Sequence, residues 1–377
     1  MLPYLVRTIG IEKFGLVNFA LSLGLYFGAI IQYGFGITAT RDIARHRNDP
    51  QKLARIYSTT LISSVALAVS SAVIFIIIVV SVNLFSDELR LYLYTLLFVI
   101  FQSLFPVWFF QGTERMKYIT LLSLGGSIVL LSSLFIFVKQ EQDYFLVPLI
   151  NALAALANLF FAFLLIKIKF KVSFCFSSFA EVKACLNEGR HAFIGQLAPS
   201  LYNNSSVLLL GLLTNNSIVG LYTAAIKVID AIISLGYILS NTFLPYLSRD
   251  LRKHKLFQKI MLFSGGTLTI SLFLLAGSIT EFLFGIENIE VASYIRWLAV
   301  AIFSGFIYLT YSTNYLMLSG HEQIAKNIAL YVSVVSCVCS LVFIYVYGIW
   351  GAIFSLLLAR MSLALLSFLS YARLSVD

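Results

Sequence analysis

Long apolar runs separated by short charged stretches organise this chain from end to end. A helix needs about 20 apolar residues to cross the hydrocarbon core of a bilayer. Runs of that length predict eleven spans, at 16–38, 56–83, 91–111, 118–138, 145–166, 192–213, 219–247, 260–279, 297–319, 327–347 and 351–372. The pattern leaves no room for a soluble domain and predicts an all-α polytopic membrane protein. Of all the charged residues, only Lys227, Asp230 and Arg360 fall inside the runs. A charge at bilayer depth costs about 2.5–3.5 kcal/mol on insertion scales, so it needs a partner or a wet cavity.

Charge outside the spans sets an orientation. Nineteen Lys and Arg residues fall in one set of loops and five in the other (Arg7, Lys13, Arg90, Lys139 and Arg296). The loops richer in Lys and Arg are expected on the cytoplasmic side. That puts the C-terminus inside and residues 1–15 outside. The net charge of +9 then reflects topology and attraction to anionic lipid headgroups rather than nucleic-acid binding, since the basic residues are scattered over separate loops.

Two halves of the chain echo each other. Gly15-Leu16 with Ala20 recurs as Gly220-Leu221 with Ala225, an offset of 205, and Arg41-Asp42 recurs as Arg249-Asp250, an offset of 208. Both copies run from outside to inside, as expected of parallel repeats. The offset maps the run at 192–213 onto positions almost wholly before Met1. Six helices per half therefore imply a first helix that is largely missing, with Leu2-Pro3-Tyr4-Leu5-Val6 as its outer end. The expected division is an N-lobe at 1–191, whose spans end at 166 and whose residues 167–191 form an amphipathic surface helix as the linker, and a C-lobe at 192–377.

Candidate chemistry sits with the in-span charges. With a rise of about 1.5 Å per residue, Lys227 lies about 12 Å along its helix and Arg360 about 13 Å along the last one. Lys227 and Asp230 are three apart, share a helix face and can partly neutralise each other, whereas Arg360 has no sequence-local partner. Gln196, Asn203, Asn204, Asn241 and Asn314 add amides within the spans; these can bond sugar hydroxyls or, more commonly, neighbouring helices. Arg41 stands at the inner mouth of the first span. Pro106 predicts a kink, and Trp108 reads either as a lipid-facing interfacial anchor or as a cavity residue. The four cysteines show no metal or disulfide spacing, and the four histidines lie in or beside loops. No cofactor or metal site is expected.

The stretches PYLVRTIGIEKFG at 3–15, GFGITATRDIAR at 34–45, PVWFFQGTERM at 106–116 and VGLYTAAIKVID at 219–230 resemble, in that order and spacing, the Wzx-type polysaccharide (O-antigen) flippases. These belong to the superfamily that also contains MATE multidrug exporters. The resemblance covers essentially the whole chain and departs from the family at the first helix. It implies two six-helix lobes around a central cavity that opens alternately to each side of the bacterial inner membrane. The implied cargo is a polyprenyl-pyrophosphate-linked oligosaccharide, with membrane lipids, a polysaccharide polymerase and a chain-length regulator as partners. Arg360, Lys227, Asp230, Arg41, Gln196, Asn203, Asn204 and Asn314 are the candidate cargo contacts. A MATE-like exporter of organic cations would want acidic residues in the cavity, and Asp230 is the only in-span carboxylate. A membrane glycan polymerase or acyltransferase would need a long outer loop or a histidine or acid cluster, and neither is visible.

Overall fold

The computed structural model describes residues 1–374, apart from the side chains of His191, residues 196–203 and Arg252. It is helical throughout, with no strand among the described residues. The first half contains α1 (Leu2–Gln32), α2 (Phe35–His46), α3 (Pro50–Ser81), the single turn α4 (Asn83–Ser86), α5 (Leu89–Leu104), α6 (Val107–Gly112), α7 (Lys117–Phe137) and α8 (Leu146–Ile168). Next come α9 (Phe179–Leu213), α10 (Asn216–Arg249), α11 (His254–Phe284) and α12 (Val291–Tyr308). α12 continues as a π-helix over Leu309–Leu316, and α13 (Glu322–Tyr347) and α14 (Ile349–Leu374) close the chain.

Among the described residues, ten helices are long and apolar enough to cross a membrane, and the chain is a multi-pass membrane protein. The eleventh expected span, 192–213, falls in α9, where many of the side chains lie outside the described residues. Several boundaries follow from single residues. Gly10 at φ 75° and Gly34 at φ 76° hold backbone that other residues adopt only with strain, and each breaks the helical path. Asp49 caps α3 by accepting from the N–H groups of Gln51 and Lys52, each at 3.1 Å. Pro106 has no N–H for the Gln102 carbonyl four residues back. The Phe105 N–H takes that place at 3.3 Å, and the span bends between α5 and α6.

Two compact units divide the chain. One comprises Ala20–Ser200; the other comprises Met1–Phe19 with Leu201–Asp377. In the first, Phe35, Ile43, Tyr57, Trp108, Phe109 and Phe110 form an aromatic core with Val172 and Ile166. Trp108 is only 6% exposed, and its ring lies 5.9 Å from that of Tyr57. It is therefore a core residue rather than a lipid anchor.

The expected surface helix forms only from Phe179 onward; the stretch before it is an extended strap anchored to the unit. Val172 is buried, the Cys175 N–H donates to Ser58 Oγ at 2.9 Å, and helix resumes only at Phe179. Glu181 pairs with Arg55 and accepts from the Ser178 N–H at 2.7 Å. That backbone bond, then Arg55, holds the Glu181 carboxyl below its usual range.

In the second unit, the repeat is visible as one reciprocal contact. A Cβ on Gly15 would lie 1.8 Å from the Asn216 carbonyl oxygen, and a Cβ on Gly220 would lie 2.1 Å from that of Ile11. Glycines 205 residues apart thus meet backbone atoms that are also 205 apart. Only hydrogen at both positions lets the two helix starts cross so closely. His254, expected in or beside a loop, is buried at the head of α11. Its Nε2 lies 3.0 Å from the Thr310 carbonyl oxygen, so that nitrogen carries the proton.

Candidate functional site

One face of α10 is built as a polar stripe. Lys227, Asp230, Ser234, Tyr237 and Asn241 follow one another at intervals of three and four residues, and all five are exposed. Between them Ile229, Ile233, Gly236 and Ser240 face the packed interior. This is an amphipathic helix with a polar line about 21 Å long, at about 1.5 Å per residue. In a membrane-spanning element, such a face needs water or a ligand beside it.

α14 supplies the third in-span charge. Arg360 Nη2 lies 2.8 Å from Asp230 Oδ1, across 130 residues of sequence. The arginine side chain is 12% exposed and the aspartate side chain 52%. The pairing expected from sequence, Lys227 with Asp230, does not form. Three residues along a helix put the two on one face, but the buried guanidinium has far more to gain from the carboxylate than an exposed ammonium does. Lys227 has no carboxylate within 4.0 Å among the described residues. Arg360 Nη1 is buried without a hydrogen-bond partner. The constellation thus carries one cation that is half satisfied and one that is unpaired, against a single carboxylate. An anion with several oxygens would complete both, because guanidinium offers two parallel N–H donors.

The other sequence candidates fall elsewhere. Asn314 is fully buried in the π-helix. Its Nδ2 donates to Ser240 Oγ and, at 3.2 Å, to the Leu309 carbonyl. The role of its amide is to hold α10 against the end of α12, and it does not present itself to a ligand. Arg41 lies in the other unit, where it pairs with Asp42 at 2.9 Å and with Glu188. Asn204 is half-buried on α9, and the side chains of Gln196 and Asn203 lie outside the described residues. Among the described residues, no cluster of His, Cys, Asp or Glu could hold a metal ion.

Sequence reasoning missed Ser234 and Tyr237, though their spacing from Lys227 was the available signal. It also missed a cavity of about 440 Å³ inside the first unit, bordered by α5, α7 and α8. Gln102, Asn151 and Asn158 line it, and no charged residue does.

Residues 1–250 match the family described as polysaccharide biosynthesis protein. Two relatives carry the name "Putative O-antigen transporter". The one from Escherichia coli (strain K12) is 28% identical over 249 residues, which is 66% of this chain and 60% of the relative. The one from Shigella dysenteriae is 24% identical over 372 residues, covering 97% and 93%. The alignment therefore spans less than two thirds of the first relative's length. Among solved structures, an inward-facing MATE family transporter of the MOP superfamily superposes with a TM-score of 0.73 at 18% identity, covering 100% of this chain and 94% of that one. The lipid II flippase MurJ, in an inward closed conformation, gives a TM-score of 0.73 at 14% identity, covering 96% and 84%. At these identities the likeness establishes a shared fold.

Proposed function

The chain belongs to the polysaccharide biosynthesis protein family, and from that premise we propose that it flips a polyprenyl-pyrophosphate-linked oligosaccharide across the bacterial inner membrane by alternating access. The observation that carries this reading is the Asp230–Arg360 pair beside an unpaired Lys227 on a polar helix face. Pyrophosphate brings negative charge that must be offset during transit. Lys227 serves as a point charge for it, and Arg360 as a two-pronged donor. Asp230 is the resident counter-ion: it keeps the guanidinium neutralised while no cargo is bound and gives it up to phosphate oxygens when cargo enters. The names of the two relatives support the O-antigen class of cargo. The basic loops face the cytoplasm, where the lipid-linked unit is picked up. After transit it passes to a polysaccharide polymerase and chain-length regulator.

A cation exporter shares the fold but fits the site less well. Its substrate would need Asp230, which the arginine already neutralises.

The test is complementation of a flippase-null strain. Asp230→Asn with Arg360→Asn removes the buried pair as a unit, so neither partner is left as an orphaned buried charge, and Lys227 stays exposed on its polar face; the protein should still insert. Surface polymer should disappear. Wild-type polymer levels with that double variant would remove the cargo role from the pair.

A further inference from the structure

The cavity in the first unit has a chemistry of its own. Its volume of about 440 Å³ falls in the ~300–1,000 Å³ range of small-ligand sites. Six polar side chains line it: Gln32, Gln102, Ser123, Ser127, Asn151 and Asn158. None is charged. Phe98 and Phe105 add apolar faces. Gln102 and Asn158 make no side-chain hydrogen bond to the protein among the described residues. Asn151 donates to the Val147 carbonyl at 2.7 Å, which leaves its own amide oxygen open. Two free amides within membrane-spanning helices are expensive unless water or a ligand bonds them.

One of these amides is seated on a glycine. A Cβ on Gly126 would lie 2.4 Å from Asn158 Nδ2 and 2.6 Å from its Oδ1. The missing side chain on α7 is thus the space into which the Asn158 amide projects from α8. The Gln102 backbone stands at the bend that Pro106 imposes, so the helix is already opened beside the cavity.

Resting on the flippase reading above, we propose that this neutral, amide-lined cavity is the subsite for an uncharged sugar ring of the cargo, bearing hydroxyl or acetamido groups. An amide is both donor and acceptor, as a sugar hydroxyl is, so each Asn or Gln can bond an adjacent pair of hydroxyls. The phenylalanines take the apolar face of the ring. Pyrophosphate or an organic cation would find no counter-charge there. The last helix of the other half, α14, carries a charged group, Arg360, whereas α8 carries the neutral Asn158. Recognition is therefore divided, with charge read in one unit and hydroxyls in the other.

The experiment uses the purified full chain in a detergent without a sugar headgroup, and follows the melting temperature with N-acetylglucosamine, glucose or inorganic pyrophosphate as probes. Both sugars or one of them should stabilise the wild type. The sugar affinity should fall about fivefold for each neutral hydrogen bond lost in Asn158→Leu and Gln102→Leu. Gly126→Ala, which keeps every polar group but displaces the Asn158 amide, should weaken it too. Pyrophosphate stabilisation should survive all three changes and vanish in Asp230→Asn with Arg360→Asn. A wild type that neither sugar stabilises, or a sugar shift undiminished in both Asn158→Leu and Gly126→Ala, would overturn the proposal. A sugar shift that depends on Asn158 with no pyrophosphate shift would sustain the subsite and defeat the pyrophosphate reading instead.

Discussion

The closing helices of the two halves, α8 and α14, solve the same problem of placing polar groups in a membrane by opposite means. α14 brings in a guanidinium and neutralises it with Asp230 from α10, at 2.8 Å. α8 brings in amides, with the Asn158 amide projecting over a glycine and, among the described residues, no charged group lining the cavity beside it. The charged solution needs a specific partner and leaves the Arg360 Nη1 donor without an acceptor. The neutral solution tolerates water or any hydroxyl. The difference teaches that a repeat can be kept as a scaffold while its two copies diverge in the polar chemistry they carry.

The most severe way to break that comparison is to make the neutral helix charged. Asn158→Arg has no carboxylate waiting for it and should cost about 2.5–3.5 kcal/mol of insertion free energy. We expect a sharp fall in membrane-inserted protein on quantitative blots, with export lost in proportion or beyond. A fully inserted, active Asn158→Arg protein would show that the cavity is not neutral in the sense claimed.

Next in size is Arg360→Lys, which keeps the charge but removes the second prong. It should retain partial export, reduced about tenfold for the loss of one charge-assisted hydrogen bond. A full null would mean that bidentate geometry, and not charge, carries the contact.

Lys227→Met should cost less, about fivefold in export by the same reasoning, because Lys227 acts as a point charge without fixed geometry. Surface polymer quantified against protein level gives both ratios. An Lys227→Met loss larger than that of Arg360→Lys would reverse the proposed ranking of the two cations.

The smallest effect lies away from both sites, in the strap that Glu181 ties to Arg55. Its carboxyl is held below the usual range, so the folded protein binds fewer protons there than the unfolded chain. The contribution is present above the ordinary glutamate range and is lost as pH falls through the lowered value. The hydrogen-exchange protection factor over residues 173–186, taken relative to the intrinsic exchange rate at each pH, should fall on that descent in the wild type and show no such step in Glu181→Gln. Neither sugar nor pyrophosphate stabilisation should change in that variant.

Much of the scaffold was legible in the sequence because the bilayer imposes length and polarity on every span. The bend at Pro106 and the 205-residue repeat were equally readable, the latter surfacing as the Gly15 and Gly220 contacts. The site was legible only in its parts. Lys227, Asp230 and Arg360 stood out as in-span charges, but local spacing pointed Asp230 to Lys227. Its true partner lies 130 residues away, and no periodicity carries that information. Asn314 and Trp108 stayed open for a related reason: an amide or an indole in a span looks the same whether it faces a cavity or a neighbouring helix. Burial decides between them, and burial is a property of the packed helices.

The most direct test of the central claim is a reconstituted one. Proteoliposomes holding the purified chain and a fluorescent polyprenyl-pyrophosphate glycan on one leaflet report translocation as probe becomes accessible to a membrane-impermeant quencher on the other. The account predicts accelerated translocation with the wild type and the protein-free rate with Asp230→Asn plus Arg360→Asn. Translocation by that double variant at the wild-type rate would contradict it.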